Sequence, residues 1–297
     1  MGRLRWRDAP PAPDSGAASR RANLALAMRI LCCLNRDLAS NLALNLLLPT
    51  LARHTVRVGL TEQVGRTHTD EPWQRRELRI AEQTFPNLAL FPLVERAALR
   101  DSGRRNLTFT EIQDLRGIPV ESLGDPNRDA GLERVKSFAP DLIVTIRYGA
   151  ILKDAVIAIP PRGVLNLHSG ILPSYRGILA TCRAMMNNDN EIGCTLHYIR
   201  DASIDTGDIL AIHRRPLQRE RSLLRNILDL YPAGIEMLCG ALQTLEQGGE
   251  ISSSVQQRGE GAYYSYPTAQ EWDEFTRRGW RVADPSDLQQ VMLGYLG

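Results

Sequence analysis

"RILCCLNRDLASNLALNLLLPTLARHTVRVGL", residues 29–60, holds three elements in one sweep. Residues 29–34 form a continuous apolar run that stops at polar Asn35, Arg36 and Asp37. Leucines at helical spacing follow from Leu38 to Arg53, and residues 55–60 alternate as a strand does. Strand, helix and strand in that order predict a parallel sheet covered by helices, because parallel neighbours need a crossover between them. Further strands are expected at 118–123, 141–146 and 163–168, with a hairpin at 193–199 and 208–213. Helices are expected near 128–138, 178–187 and 222–246. Residues 61–110 interrupt the rhythm with two helical stretches, "EPWQRRELRIAEQTF" and "LFPLVERAAL", joined by polar links. Such an insertion serves either as a lid over a site or as surface decoration.

The bulk numbers bound the function. A chain of 297 residues accommodates one large α/β domain or a main domain with an appendage. Its net charge of +2, from 36 basic and 34 acidic residues, is too balanced to mark a nucleic-acid binder. Arginines cluster at 75–79 and 214–225, which reads as solvated helix surface or as contact with an anionic ligand. Cys32, Cys33, Cys182, Cys194 and Cys239 form no CxxC pair and no zinc spacing, so they read as reduced thiols of a cytoplasmic protein. No apolar run reaches the ~18–20 residues needed to span a bilayer. Residues 1–27, rich in proline and scattered charge, are expected to be a disordered leader.

The chemistry concentrates in "GVLNLHSGILPSYRG", residues 163–177. Alternation along a strand puts Asn166 and His168 on the same face, and ligands of open parallel sheets bind beyond the carboxyl ends of strands. A later segment, "GCTLHYIRDASIDTGDIL" (193–210), adds a carboxylate, Asp205, in an Asp-Thr-Gly turn.

Taken together, Asn-x-His, Leu-Pro-x-Tyr-Arg-Gly, Gly-x-Thr-x-His and Asp-Thr-Gly resemble the folate-dependent formyltransferase family, most strongly over 139–217. The resemblance implies a Rossmann-like catalytic domain with a mixed, mostly parallel sheet over 28–217, and a small C-terminal appendage over 218–297. It implies formyl transfer from 10-formyltetrahydrofolate to an amine, with no metal. Asn166 would stabilise the oxyanion of a tetrahedral intermediate, His168 would shuttle a proton, and Asp205 would orient the ring or a water. Tyr148, Gly149, Ala150, Ile151 and Leu152, with Ile204, would contact the folate. His197, on the Gly-x-Thr-x-His strand, would support the site from behind or reach the substrate. Arg176 would meet an anionic group or a structural partner, and Asn35, at the same sheet edge, would touch the acceptor.

The acceptor is open at this level. Residues 218–297 are too short and too helical for the OB-type barrel of the tRNA-directed branch, which favours a small-molecule amine such as a hydroxyornithine-like side chain or an amino sugar. The "YYSYP" segment at 263–267 offers tyrosines that either frame a substrate or pack. A hydrolase using water as nucleophile, a methionyl-tRNA-directed enzyme and a non-catalytic folate binder are the alternatives. A dinucleotide-dependent reductase is disfavoured, because "LCCLNRDLAS" lacks the glycine-rich turn that holds a pyrophosphate. A homodimer formed through the C-terminal segment is compatible with the sequence.

Overall fold

The computed structural model describes residues 26–62, 71–97, 106–257 and 259–296. The leader expected at 1–27 lies outside the described residues up to position 25, as do 63–70 and 98–105 of the expected insertion. No helix among the described residues is long and apolar enough to cross a membrane.

Seven strands form one sheet. In chain order they are β1 (Arg29–Asn35), β2 (Thr55–Thr61), β3 (Val120–Ser122), β4 (Leu142–Ile146), β5 (Val164–His168), β7 (Glu191–Ile199) and β8 (Ile209–Pro216). The spatial order is β3-β2-β1-β4-β5-β7-β8. The first five pair in parallel, whereas β7 runs antiparallel to β5 and β8 antiparallel to β7. The parallel part follows from the opening strand-helix-strand unit, and the whole is the mixed, mostly parallel Rossmann-like α/β sheet that the resemblance implies.

The two faces of the sheet carry different cores. Ile30, Cys32, Leu34, Val144 and Leu167 belong to the larger one, packed under α1 (Leu38–Leu51) and α9 (Tyr231–Glu246). Leu31, Cys33, Ile143 and Val164 point the other way, toward Val135 and Phe138 of α5 (Asp129–Phe138) and Val156 of α6 (Asp154–Ile157). Continuing along that second face, alternation brings Asn35, Thr145 and Asn166 next, then Arg147 and His168. The apolar cover therefore ends where polar side chains begin. A cleft opens at that boundary.

Two helical expectations are corrected. The stretch after Glu71 has no polar link: α2 (Trp73–Arg79) runs through π turns at Ile80–Thr84 and Pro86–Leu90 into α3 (Phe91–Arg96). Pro86 has no N–H to give, and the π turns close with Phe85 N–H bonded to the Ile80 carbonyl and Phe91 N–H to that of Pro86. Leu78, Ala81, Leu90 and Val94 bury one side of this rod in the larger core. Residues 222–246 make two helices instead of one, α8 (Leu223–Leu228) and α9, with the first capped at Asp229 and Pro232 opening the second.

The remaining elements tie the C-terminal segment to the sheet domain. They are α4 (Phe109–Arg116), β6 (Tyr175–Gly177), α7 (Ala180–Met186), β9 (Ala262–Tyr264), α10 (Ala269–Arg277) and α11 (Pro285–Leu296). β9 pairs in parallel with β6, a three-residue contact too short to show in the sequence pattern. Trp272, Phe275 and Tyr295 are fully buried in the larger core, and Tyr295 packs on Phe91 with ring centroids 5.4 Å apart.

The turn between β7 and β8 depends on Gly207: a Cβ there would lie 1.8 Å from the Tyr198 carbonyl oxygen, a backbone atom that cannot step aside. Gly207→Ala is expected to destabilise the fold by ~2–3 kcal/mol through overpacking, read as a lower urea midpoint at unchanged slope.

Candidate active site

β5 presents Asn166 and His168 on one face, as alternation requires, and the β7–β8 turn brings Asp205 against both. Asn166 donates from Nδ2 to Asp205 Oδ1 at 3.3 Å, and His168 Nδ1 lies 3.5 Å from Asp205 Oδ2. The amide, imidazole and carboxylate thus share one wall.

Hydrogen bonds set the orientation of each group. The Thr145 hydroxyl donates to Asn166 Oδ1 at 2.7 Å, which fixes the amide oxygen and turns the NH₂ group away from β4. His197, 1% exposed, bonds the Tyr198 carbonyl through Nδ1 at 2.8 Å. A carbonyl only accepts, so that nitrogen carries the proton and Nε2 accepts from Asn166 Nδ2 at 2.9 Å. By the same reasoning His168 donates through Nε2 to the Tyr175 carbonyl at 2.7 Å, leaving Nδ1 as the nitrogen that gains or loses a proton beside Asp205. Gly170 makes room for this ring: a Cβ there would sit 2.5 Å from His168 Nε2.

Asp205 occupies the left-handed region at φ 55°, an uncommon place for a side-chain-bearing residue. Its Oδ2 accepts from the Gly177 N–H at 2.8 Å, and its carbonyl accepts from Gln256 Nε2 at 3.1 Å. Burial acts to raise its pKa, but the positive charge that His168 can carry beside it, the nearby His197 ring and the Gly177 N–H outweigh that and bring it down to about 2. The carboxylate is ionised throughout the working range.

The cleft has a volume of about 390 Å³. Tyr148, Gly149, Ala150, Ile151, Leu152 and Ile204, the expected folate contacts, all line it together with Asn166, His168 and Asp205. Leu152 is buried while Ile151 is half exposed, and the backbone of Ala150, Leu152 and Ile204 makes no hydrogen bond to another described residue. An apolar slot edged by open backbone donors and acceptors suits a flat heterocycle with an amide-like rim. The α2 rod lines the same cleft through Arg75, Leu78, Arg79 and Glu82, and the C-terminal segment contributes Tyr263 and Tyr266.

Asn35, Arg176 and His197 take three different places. Asn35 lines the cleft at the end of β1 but is fully buried, its amide donating to Asp37 Oδ2 and accepting from Thr61. Arg176 lies outside the cleft lining and forms no ion pair among the described residues. His197 is sealed behind Asn166 and orients it. Residues that the sequence reading passed over are Thr145 and Gln256, and the buried group Asp37–Arg147–Glu82. Thr145 was legible, since it shares the polar-ended face of β4 with Arg147. Gln256 and Glu82 reach the site only through tertiary packing.

Residues 123–224 match the formyl transferase family. A methionyl-tRNA formyltransferase of Kosmotoga olearia is 33% identical over 147 residues, covering 50% of this chain and 47% of the relative. One from a Synechococcus strain is 36% identical over 133 residues, 44% of this chain and 41% of its own length. The chain thus spans about half the length of the curated relatives it matches. Among solved structures, an N-formyltransferase from Helicobacter canadensis, crystallised with folinic acid and dTDP-3-aminofucose, superposes with a TM-score of 0.52 at 16% identity, covering 81% of this chain and 71% of that one. A phosphoribosylglycinamide formyltransferase from Anaplasma phagocytophilum gives a TM-score of 0.52 at 16% identity over 80% and 96% of the two chains. These likenesses establish the shared fold, and the matched segment carries β5, Asn166, His168 and Asp205. Through that segment, residues 123–224, the chain is similar to the folate-dependent formyltransferases.

Proposed function

We propose that the protein transfers the formyl group of 10-formyltetrahydrofolate to an amine of a small molecule. The observation that carries this reading is the meeting of Asn166, His168 and Asp205 at one wall of a cleft edged by open backbone groups. The donor supplies an activated formyl carbon, and the chain's own residues do the rest. Asn166 Nδ2 holds two N–H bonds, the longer of them to Asp205, and that longer one is the donor free to turn toward a developing oxyanion. His168 Nδ1 takes up the proton shed by the attacking amine, beside a carboxylate that stabilises the resulting imidazolium, and returns it to the leaving nitrogen. Neither step needs a covalent enzyme intermediate.

What favours a small acceptor is enclosure. The α2 rod, Tyr263 and Tyr266 line the same cavity as the catalytic strand. Relatives directed to methionyl-tRNA share the matched half of the chain, so a tRNA acceptor is the competing reading. Incubation with 10-formyltetrahydrofolate and a set of amino acids, amino sugars and aminoacyl-tRNA, followed by mass detection of one added formyl group, separates the two.

His168→Ala should lower kcat by about 10²–10⁴-fold with the fold intact by circular dichroism. Thr145→Val should lower kcat about 10- to 100-fold at unchanged KM for folate, because the amide loses its anchor, and Thr145→Ser should restore most of it. For stability, the folded pKa of Asp205 is depressed, so its contribution is present above the ordinary carboxylate range and is lost as pH falls toward about 2. Urea denaturation between about pH 5 and pH 2 should therefore show a steeper loss for the wild type than for Asp205→Asn.

A further inference from the structure

The part of the cleft lined by the α2 rod contains a carboxylate that the proposed chemistry does not use. Glu82 sits inside the first π turn, Ile80–Thr84, a register shift that commonly marks functional positions in helices. It is 6% exposed and lines the cleft. Its Oε2 accepts from Arg147 Nη2 at 2.8 Å, but its Oε1 is buried with no hydrogen-bond partner. Buried carboxylate oxygens are rarely left unmatched, because the desolvation cost is then uncompensated.

Arg147 fixes this arrangement. It follows Ile146 at the end of β4, just as His168 follows Leu167, the register partner of Ile146 on β5. Its backbone is left-handed, at φ 55°, and its Nε binds Asp37 Oδ2 at 2.9 Å. Asp37 is committed elsewhere too, accepting the Ser40 N–H at 2.7 Å and the Asn35 amide at 2.8 Å. Tyr231 from α9 and Tyr266 from the C-terminal segment also face the group. Burial raises the Glu82 pKa, Arg147 lowers it and Asp37 raises it, to a net value of about 7.

The positive charges on this wall are matched. Arg79 binds Glu71 at 2.8 Å, Arg75 lies 3.3 Å from Glu71, and Arg147 holds both Asp37 and Glu82. This end of the cleft is therefore built to accept hydrogen bonds from a ligand, and an anion would have to break those pairs. We propose that Glu82 determines acceptor specificity, its Oε1 accepting a hydrogen bond from an N–H group of a small basic amine seated between the α2 rod and β5. The inference rests on the formyl-transfer reading and adds the recognition element for its second substrate.

Glu82→Gln is the sharp test. Arginine can only donate, so Arg147 will hold the amide oxygen and leave the NH₂ group where Oε1 was, replacing an acceptor by a donor at equal volume. Formylation of L-ornithine, N5-hydroxy-L-ornithine and a nucleotide-linked amino sugar is measured with 10-formyltetrahydrofolate, and 5-formyltetrahydrofolate binding is followed by calorimetry. The expected result is a KM for the best amine raised about tenfold or more in Glu82→Gln, with folate affinity within about twofold of wild type. Should Glu82→Gln fold poorly by thermal denaturation, Glu82→Ala is read in its place, with the same expectation. An unchanged amine KM in the folded variant overturns the proposal, as does a wild type that binds folate yet formylates none of these amines. A wild type that does not bind 5-formyltetrahydrofolate at all would instead overturn the formyl-transfer reading.

Discussion

One buried carboxylate joins segments that are far apart in the chain. The backbone of Asp205 is held by Gln256, and its carboxylate accepts from the Gly177 N–H while presenting one oxygen to Asn166 and the other to His168. Without those partners the charge could not stay ionised in so dry a place, since an isolated carboxylate would protonate instead. The same contacts that stabilise the charge also aim the amide and the imidazole. Charge stabilisation and site geometry are therefore a single constraint, and the close-packed turn at Gly207 exists to satisfy it.

The second constraint is the sheet itself. On the face holding Leu31, Cys33, Ile143 and Val164, the helices α5 and α6 supply apolar cover, and past those residues the cover stops. Side chains that follow on that face must meet water, a ligand or each other. Asn35 and Asp37 meet each other and Arg147, Thr145 meets Asn166, and Asn166 and His168 meet the cleft. A ligand site at the strand ends follows from where the apolar side chains run out.

Much of this was legible because it is periodic. The strand-helix-strand opening, the parallel sheet and the common face of Asn166 and His168 all follow from alternation and helical spacing. Asp205 was reached through motif resemblance, since nothing local in "SIDTGD" shows that it folds back onto β5. The helical rod after Trp73 was read as two pieces because prolines at 86 and 92 normally end helices, and here π turns absorb the first of them. Asn35, Arg176 and His197 were placed near the right edge of the sheet, but Asn35 Oδ1 is taken by Thr61, 26 residues on, and His197 Nε2 by Asn166, 31 residues back, which no local pattern shows. Glu82 lay in the stretch for which a lid and mere decoration were both open, and its unmatched oxygen is visible only once Arg147 is seen beside it.

The account stands on a claim about position: the formyl carbon of a bound folate lies against Asn166 and His168. A crystal structure with 5-formyltetrahydrofolate measures this directly. The account predicts the heterocycle in the slot between Leu152 and Ile204, with a formyl oxygen about 3 Å from Asn166 Nδ2. A folate bound elsewhere, or one whose formyl group points away from β5, would contradict it.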